Sequence, residues 1–255
     1  MTIYLKIILF LFLICFKSQA FENPKVKINN FFIQKYEVTI GEFSNFSNKT
    51  NFKTEAEKQG FGYEYGAGWE KRKNWNYKTP YGKNPESLTE PAVHISYFEA
   101  EQYCKFINGK LPSFEEWSTA AYTQVLDSKV FEKNKTYVYP SGDRAEKMNS
   151  TDLLAYRKHY DVLKLPEGIN GLVAMGGNVW EWTSDFWSAR WHIPTTQETR
   201  KNPIGPHKDA GNRVLKGGSF MCHDSYCYRY RNSARTFNSP NTSTSHIGFR
   251  CVKSD

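Results

Sequence analysis

A single loop-heavy α+β domain with low regular secondary structure is the fold class the sequence predicts, on three observations. Three segments share one helix-start chemistry: Thr39-Ile-Gly-Glu42, Ser96-Tyr-Phe-Glu99 and Ser113-Phe-Glu-Glu116 each place a hydroxyl at the cap and a glutamate three residues on. Strand-like pieces, Phe31 to Tyr36 and Arg213 to Lys216, occur without the alternating βαβ pattern of a parallel sheet. Elsewhere the chain is rich in Gly, Pro, Asn and aromatic residues. Its 7 Trp and 16 Tyr can bury large areas where regular packing is scarce.

Residues 1–20 read as a signal peptide, with an apolar run from Ile7 to Phe16 followed by small residues at Ser18 and Ala20. The run is short for a membrane span, and Ile14 before Cys15 is not the small residue that precedes a lipid-anchored cysteine, so no membrane anchor is expected. Residues 21–255 are expected to form one domain, because nothing along them resembles a linker or a repeat. The chain carries +8, of which Lys6 and Lys17 lie in the leader, leaving +6. That charge is diffuse and forms no arginine–aromatic stripe, so nucleic acid is not an expected partner.

In the second capped segment Ala100, Tyr103, Cys104 and Ile107 recur at helical spacing before Asn108-Gly109 ends the run, which puts Cys104 on the buried face. Past the leader the cysteines are Cys104, Cys222, Cys227 and Cys251. An even count in an exported chain points to disulfides, and spacing does not choose among the three pairings.

The densest chemistry lies in Arg213 to Arg231, where Cys222 and Cys227 stand five apart beside His223, Ser219 and several tyrosines. Two close thiolates are a soft donor pair that suits copper(I), whereas zinc wants three or four protein ligands. The same pair can instead form a small disulfide staple. A thioredoxin-like reading fails on the spacing, since Cys-x-x-x-x-Cys is not Cys-x-x-Cys.

This run, with Met221-Cys-His-Asp-Ser-Tyr-Cys-Tyr-Arg-Tyr-Arg231 at its centre, resembles the active-site segment of the formylglycine-generating enzymes. Gly176-Gly-Asn-Val-Trp-Glu-Trp-Thr-Ser-Asp185 resembles their second signature. Phe32 to Thr39, Thr54-Glu-Ala-Glu57, Pro91-Ala-Val-His-Ile-Ser96, Lys110-Leu-Pro-Ser-Phe-Glu-Glu-Trp117 and Gly248-Phe-Arg-Cys251 follow in the family's order, so the resemblance covers nearly all of residues 21–255. The Gly-Asn-Val-Trp-Glu-Trp element marks a broad superfamily, and the paired cysteines mark its oxidising subgroup.

The resemblance implies a C-type-lectin-like formylglycine-generating-enzyme fold. It also implies a copper-dependent oxidase that uses dioxygen to convert the cysteine of a Cys-x-Pro-x-Arg sequence in an unfolded sulfatase to Cα-formylglycine. Cys222 and Cys227 are then the copper(I) ligands, and Ser219, Tyr226 and Trp180 line the oxygen side. Arg235, Asn238, Ser243 and Ser245 fall where the client's groove would be, and Cys104 and Cys251 match the family's disulfide. Calcium is implied at one site beginning at Asn149 and Ser150, and at a second built from Gly177, Val179 and Glu181. Ala174 stands where the family has Asn or Asp, and the stretch to Asp161 is shortened, so one calcium ion is expected and the second is in question. His246 replaces a family asparagine near the groove. The expected setting is a bacterial periplasm, or else an endoplasmic reticulum lumen, with the protein acting as a monomer. The competing expectation is a non-catalytic binding or scaffold protein on the same fold, with Cys222–Cys227 as a structural disulfide.

Overall fold

In the computed structural model, residues 21–146, 148–150, 158–187, 211–223 and 230–255 are described. The leader, Tyr226 and Cys227 lie outside them. All three expected capping boxes close. Helix α1 (Ile40–Thr50) starts at Thr39, whose Oγ1 accepts from Glu42 N at 3.2 Å while Glu42 Oε2 accepts from Thr39 N at 2.9 Å. Such caps satisfy amide groups that the first helical turn leaves unpaired. A fourth box not read as a cap, Thr54 with Glu57, starts the short helix α2 (Glu55–Gln59). Asn51 and Gly60 then end α1 and α2 in left-handed conformations.

Helix α1 buries Ile40, Phe43, Phe46 and Ser47, a three-and-four spacing that forms one stripe. Phe43 lies at ring-centroid distances of 4.8 Å from Tyr77, 5.3 Å from Phe46 and 5.7 Å from Tyr103. Such aromatic pairs contribute about 0.5–1.5 kcal/mol each beyond area burial. Tyr103 and Cys104 come from α3 (Tyr97–Phe106), on the buried face the spacing predicts. Helix α4 (Phe114–Tyr122) buries Trp117, Ala120, Ala121 and Tyr122.

Strands β1 (Lys25–Ile28), β2 (Phe31–Gln34) and β9 (Val252–Ser254) form one antiparallel sheet that brings the two ends of the domain together. β2 stops two residues short of the expected Tyr36. Strands β3 (Phe61–Tyr65) and β4 (Trp69–Lys73) form a separate hairpin. The third sheet has the order β7-β6-β5-β8, from β5 (Trp180–Phe186), β6 (Arg213–Lys216), β7 (Thr236–Asn238) and β8 (Ile247–Gly248), with only β5 and β8 parallel. Cys104 and Cys251 are disulfide-bonded, with Cα atoms 5.5 Å apart, which ties α3 to the chain entering β9. The mixed, loop-rich architecture is the one expected. No helix among the described residues is long and apolar enough to cross a membrane.

Candidate functional site

The candidate site grows out of the end of β6. After Lys216 the chain turns through Gly217 and Gly218, with φ of 95° and 79°, a region open to glycine and strained for other residues. The turn is anchored on the second signature: Gly177 N donates to Gly217 O and Phe220 N donates to Asn178 O, both at 2.9 Å. Ser219 is therefore held still. It is buried, its carbonyl accepts from Cys222 N at 2.9 Å, and its own N–H points at Cys222 Sγ, 3.5 Å away. The Gly218 backbone lies against Cys222 Sγ and the Tyr230 ring, at a spacing where a Cβ would make ordinary contact at 3.4 Å, so the positive φ and not crowding favours glycine there. Cys222 is buried and disulfide-bonded.

Trp180, at the start of β5, is buried in the same apolar cluster as Cys222, Tyr230 and Met148. Its N–H donates to His246 O at 2.9 Å, which joins the candidate oxygen side to the segment carrying Ser243 and Ser245. Both serines are buried, and Ser245 N donates to Tyr63 O on β3. Arg235 lies on the chain entering β7 with its guanidinium over the Trp187 ring at 4.2 Å, and burial pulls its pKa down to about 10. Asn238 ends β7, opposite Arg213, and its Oδ1 accepts from Ser239 N. The structure thus brings Ser219 and Cys222 together at the glycine turn, while Trp180 shares the surrounding apolar cluster with Cys222 and is bonded to the His246 segment that follows Ser243 and Ser245.

Lys216 is a residue that sequence reading missed. Its ammonium is buried over the rings of Phe114, Trp117 and Tyr122, at 4.8, 5.5 and 5.3 Å, and burial lowers its pKa to about 7. Nζ donates to Asn232 O at 2.8 Å and to Ala234 O at 2.6 Å, which fixes the return from the cysteine segment to β7. The only sequence signal was a lysine ending an apolar strand.

The calcium residues divide. Glu181 is fully buried, with Oε2 accepting from Trp117 Nε1 and Arg250 Nε and Oε1 from Arg250 Nη2, each at 2.8 Å. Both oxygens of this carboxylate already accept hydrogen bonds, and Ala174 offers no side-chain oxygen, so these residues are a poor donor set for a second calcium ion. Nearby Glu37 is buried, and desolvation followed by the Glu181 charge pushes its carboxyl well above the ordinary range. Asn149 differs. Nδ2 donates to Lys158 O and Asn178 Oδ1, while Oδ1 is buried without a hydrogen-bond partner among the described residues. A buried acceptor left over fits a hard cation at the first site. Any side chain at Gly177 would strike the Asn149 carbonyl, which explains the glycine there. Ser150 is fully buried and Val179 N donates to Glu37. A cleft of about 580 Å³ opens beside Met148, Asn149 and Ala174, and none of the described candidate catalytic residues lines it.

Comparison with known proteins gives four findings. A family model described as "Sulfatase-modifying factor enzyme 1-like domain" matches residues 16–255. The formylglycine-generating enzyme of Thermomonospora curvata is 33% identical over 261 aligned residues, covering 89% of this chain and 83% of that protein. A mouse relative named inactive C-alpha-formylglycine-generating enzyme 2 is 28% identical, covering 91% of this chain and 79% of its own. Among solved structures, PvdO from Pseudomonas aeruginosa superposes with a TM-score of 0.61 at 17% identity, covering 88% of this chain and 80% of that one, a likeness of fold alone.

Proposed function

Because the chain belongs to the sulfatase-modifying factor family, we propose that it is an oxidase that converts the cysteine of a Cys-x-Pro-x-Arg sequence in unfolded sulfatases to Cα-formylglycine. The observation that carries this reading is the Gly217-Gly218-Ser219 turn, which aims the Ser219 N–H at a buried Cys222 Sγ. In the reading, Cys222 and Cys227 would hold copper(I), which would supply the dioxygen chemistry. Soft thiolates are the donors this ion prefers.

The chain's own residues do the rest. An N–H directed at sulfur stabilises negative charge there once Cys222 is reduced. Ser219 Oγ accepts from Met221 N at 3.3 Å and keeps its own proton to donate, with Tyr226 as the second donor to charge developing on oxygen. Trp180, buried at the head of β5, excludes water from the reacting sulfur. Arg235 stays cationic at neutral pH and offers a planar donor fork to the client. Asn238, Ser243 and Ser245 are assigned to the client's groove, the two buried serines as its supports, and an extended peptide demands a client not yet folded. One calcium ion at Asn149 supports the fold. The protein is proposed to act as a monomer in an exported compartment, the bacterial periplasm first.

The test is to incubate the reduced protein in air with copper(I), a thiol reductant that supplies the two electrons dioxygen needs beyond those the cysteine gives, and a peptide containing Leu-Cys-Thr-Pro-Ser-Arg, following mass change, sulfide release and aldehyde trapping. Aldehyde is expected from the natural chain and none from Cys222→Ser or Cys227→Ser. Copper binding at both thiols without aldehyde would refute oxidation of this client. A second reading, a non-catalytic scaffold with a structural disulfide, is favoured by the oxidised state of Cys222 and by the inactive relative. It requires that thiol titration after mild reduction find no copper protection of Cys222.

A further inference from the structure

Lys216 carries a buried charge that the proposed chemistry does not use. The residue is fully buried, no carboxylate pairs with it among the described residues, and the charge that acts on it is the like charge of Arg235. Enclosing an ammonium without a counter-charge is costly, and ring faces and carbonyls offset only part of that cost. An apolar side chain of similar length would fill the space at lower cost. What an apolar side chain cannot do is hold two carbonyl groups.

The ladder between β6 and β7 ends at Leu215 opposite Thr236. One residue on, Lys216 still pairs with Glu181 on the β5 side, while the β7 side has lost its register. The Lys216 side chain takes over there, with Nζ donating to Ala234 O at 2.6 Å and to Asn232 O at 2.8 Å. Residues 217–231, which carry Cys222, thus leave the sheet and return to it across one ammonium. Helix α4 lies beneath both arms of this neck. Its Phe114, Trp117 and Tyr122 rings face Nζ, a Cβ on Gly217 would come within 3.2 Å of the Trp117 ring, and the Tyr122 hydroxyl donates to Tyr230 O at 3.1 Å. Just above, the two arms meet, because the Gly218 backbone lies against both Cys222 Sγ and the Tyr230 ring. Spacing at the neck is therefore passed to the Cys222 sulfur through packed atoms.

We propose that Lys216 is a positioning residue: with Tyr122 it closes the neck of the cysteine segment and so fixes where Cys222 Sγ stands relative to the second sulfur of the site. This rests on the reading of Cys222 and Cys227 as the working pair. A closed neck removes loop freedom that the reduced segment would otherwise have, which raises the effective concentration of one thiol at the other.

The experiment measures that concentration on the full chain. The natural protein, Lys216→Met and Tyr122→Phe are equilibrated in glutathione redox buffers and quenched by alkylation, and the oxidised fraction of the Cys222 and Cys227 pair is read by mass. Lys216→Met is expected to make the disulfide about tenfold easier to reduce, a shift of about 30 mV. Tyr122→Phe, which removes one hydroxyl from the same neck, should shift it about threefold in the same direction. The sign carries the test. Loss of a nearby cation by itself destabilises thiolates and would move the equilibrium toward the disulfide. A loss of stability shared by the oxidised and reduced proteins would not move it at all. A copper(I) titration of the reduced natural protein, made alongside, checks the oxidase reading separately.

An unshifted equilibrium in Lys216→Met, or a shift toward the disulfide, would overturn the positioning role and leave the oxidase reading standing. The expected shift in a protein that binds no copper(I) would keep the positioning role and remove the oxidase reading. Failure of Cys222 and Cys227 to pair in the natural protein would overturn the role. Should Lys216→Met not fold, Tyr122→Phe decides alone, and an unshifted equilibrium in it overturns the proposal.

Discussion

Arg250 grips both carboxylate oxygens of Glu181, through Nε and Nη2 at 2.8 Å each, and neither side chain is exposed. The remaining guanidinium hydrogens reach Gln34 O, Lys35 O and Val173 O, so one cation joins β2, β5 and the loop before the second signature. Desolvating a charge pair is costly, and removing one partner strands the other in the interior. Arg250→Met is therefore expected to lower unfolding free energy by about 3–5 kcal/mol. Denaturant titration with an unchanged m-value measures it, and a loss within the scatter of surface mutants would contradict the account.

The Cys104–Cys251 bond spans a sequence separation of 147, the longest that any pair of the four cysteines past the leader allows. Chain-entropy arguments put such a link at roughly 4–5 kcal/mol. The double variant Cys104→Ala, Cys251→Ala should unfold at markedly lower denaturant concentration. An unchanged midpoint would mean that the unlinked unfolded chain is already compact.

His94 and His159 are both fully buried. Burial lowers both pKa values, that of His94 to about 4, while Glu90 at 2.8 Å opposes the shift at His159. An imidazole kept neutral in the fold is protonated in the unfolded chain below its ordinary pKa near 6.5. Between the two values the unfolded state binds more protons, so stability falls as pH drops from about 6.5 toward 4. For His94 the full loss is on the order of 3 kcal/mol. His94 has φ of 57°, a conformation asparagine tolerates, so His94→Asn should flatten the pH dependence of the melting temperature while losing the contact to Pro80 O. Identical slopes in the two proteins would rule out this source.

Asn149 Oδ1 is a buried side-chain oxygen of the implied calcium sites that has no hydrogen-bond partner among the described residues. If it faces calcium, adding the ion at about a hundredfold excess over Kd should stabilise the protein by ~2.7 kcal/mol, a rise of roughly 5–10 °C in Tm. Chelation should reverse the rise and Asn149→Ala should abolish it. A Tm indifferent to calcium and chelator would leave the oxygen to a buried water.

Much of this protein could be read along the chain. The helix starts at Thr39, Ser96 and Ser113, the burial of Cys104 and the limits of β6 all depend on hydrogen bonds or periodicity within a few residues, and all appear where expected. The cap at Thr54 went unread because only five residues follow before Gly60, too few to show a stripe. The family was legible because its signatures are contiguous. Only the tertiary structure decided what the long-range partners would be. It paired the Glu181 carboxylate with Arg250, enclosed the Lys216 ammonium among three rings, and carried Trp69 onto His246. Those contacts join residues tens to hundreds of positions apart, and no local pattern encodes them. They exist because the core forces the chain back on itself, and a buried charge or ring must then find its partner among whatever the fold brings near.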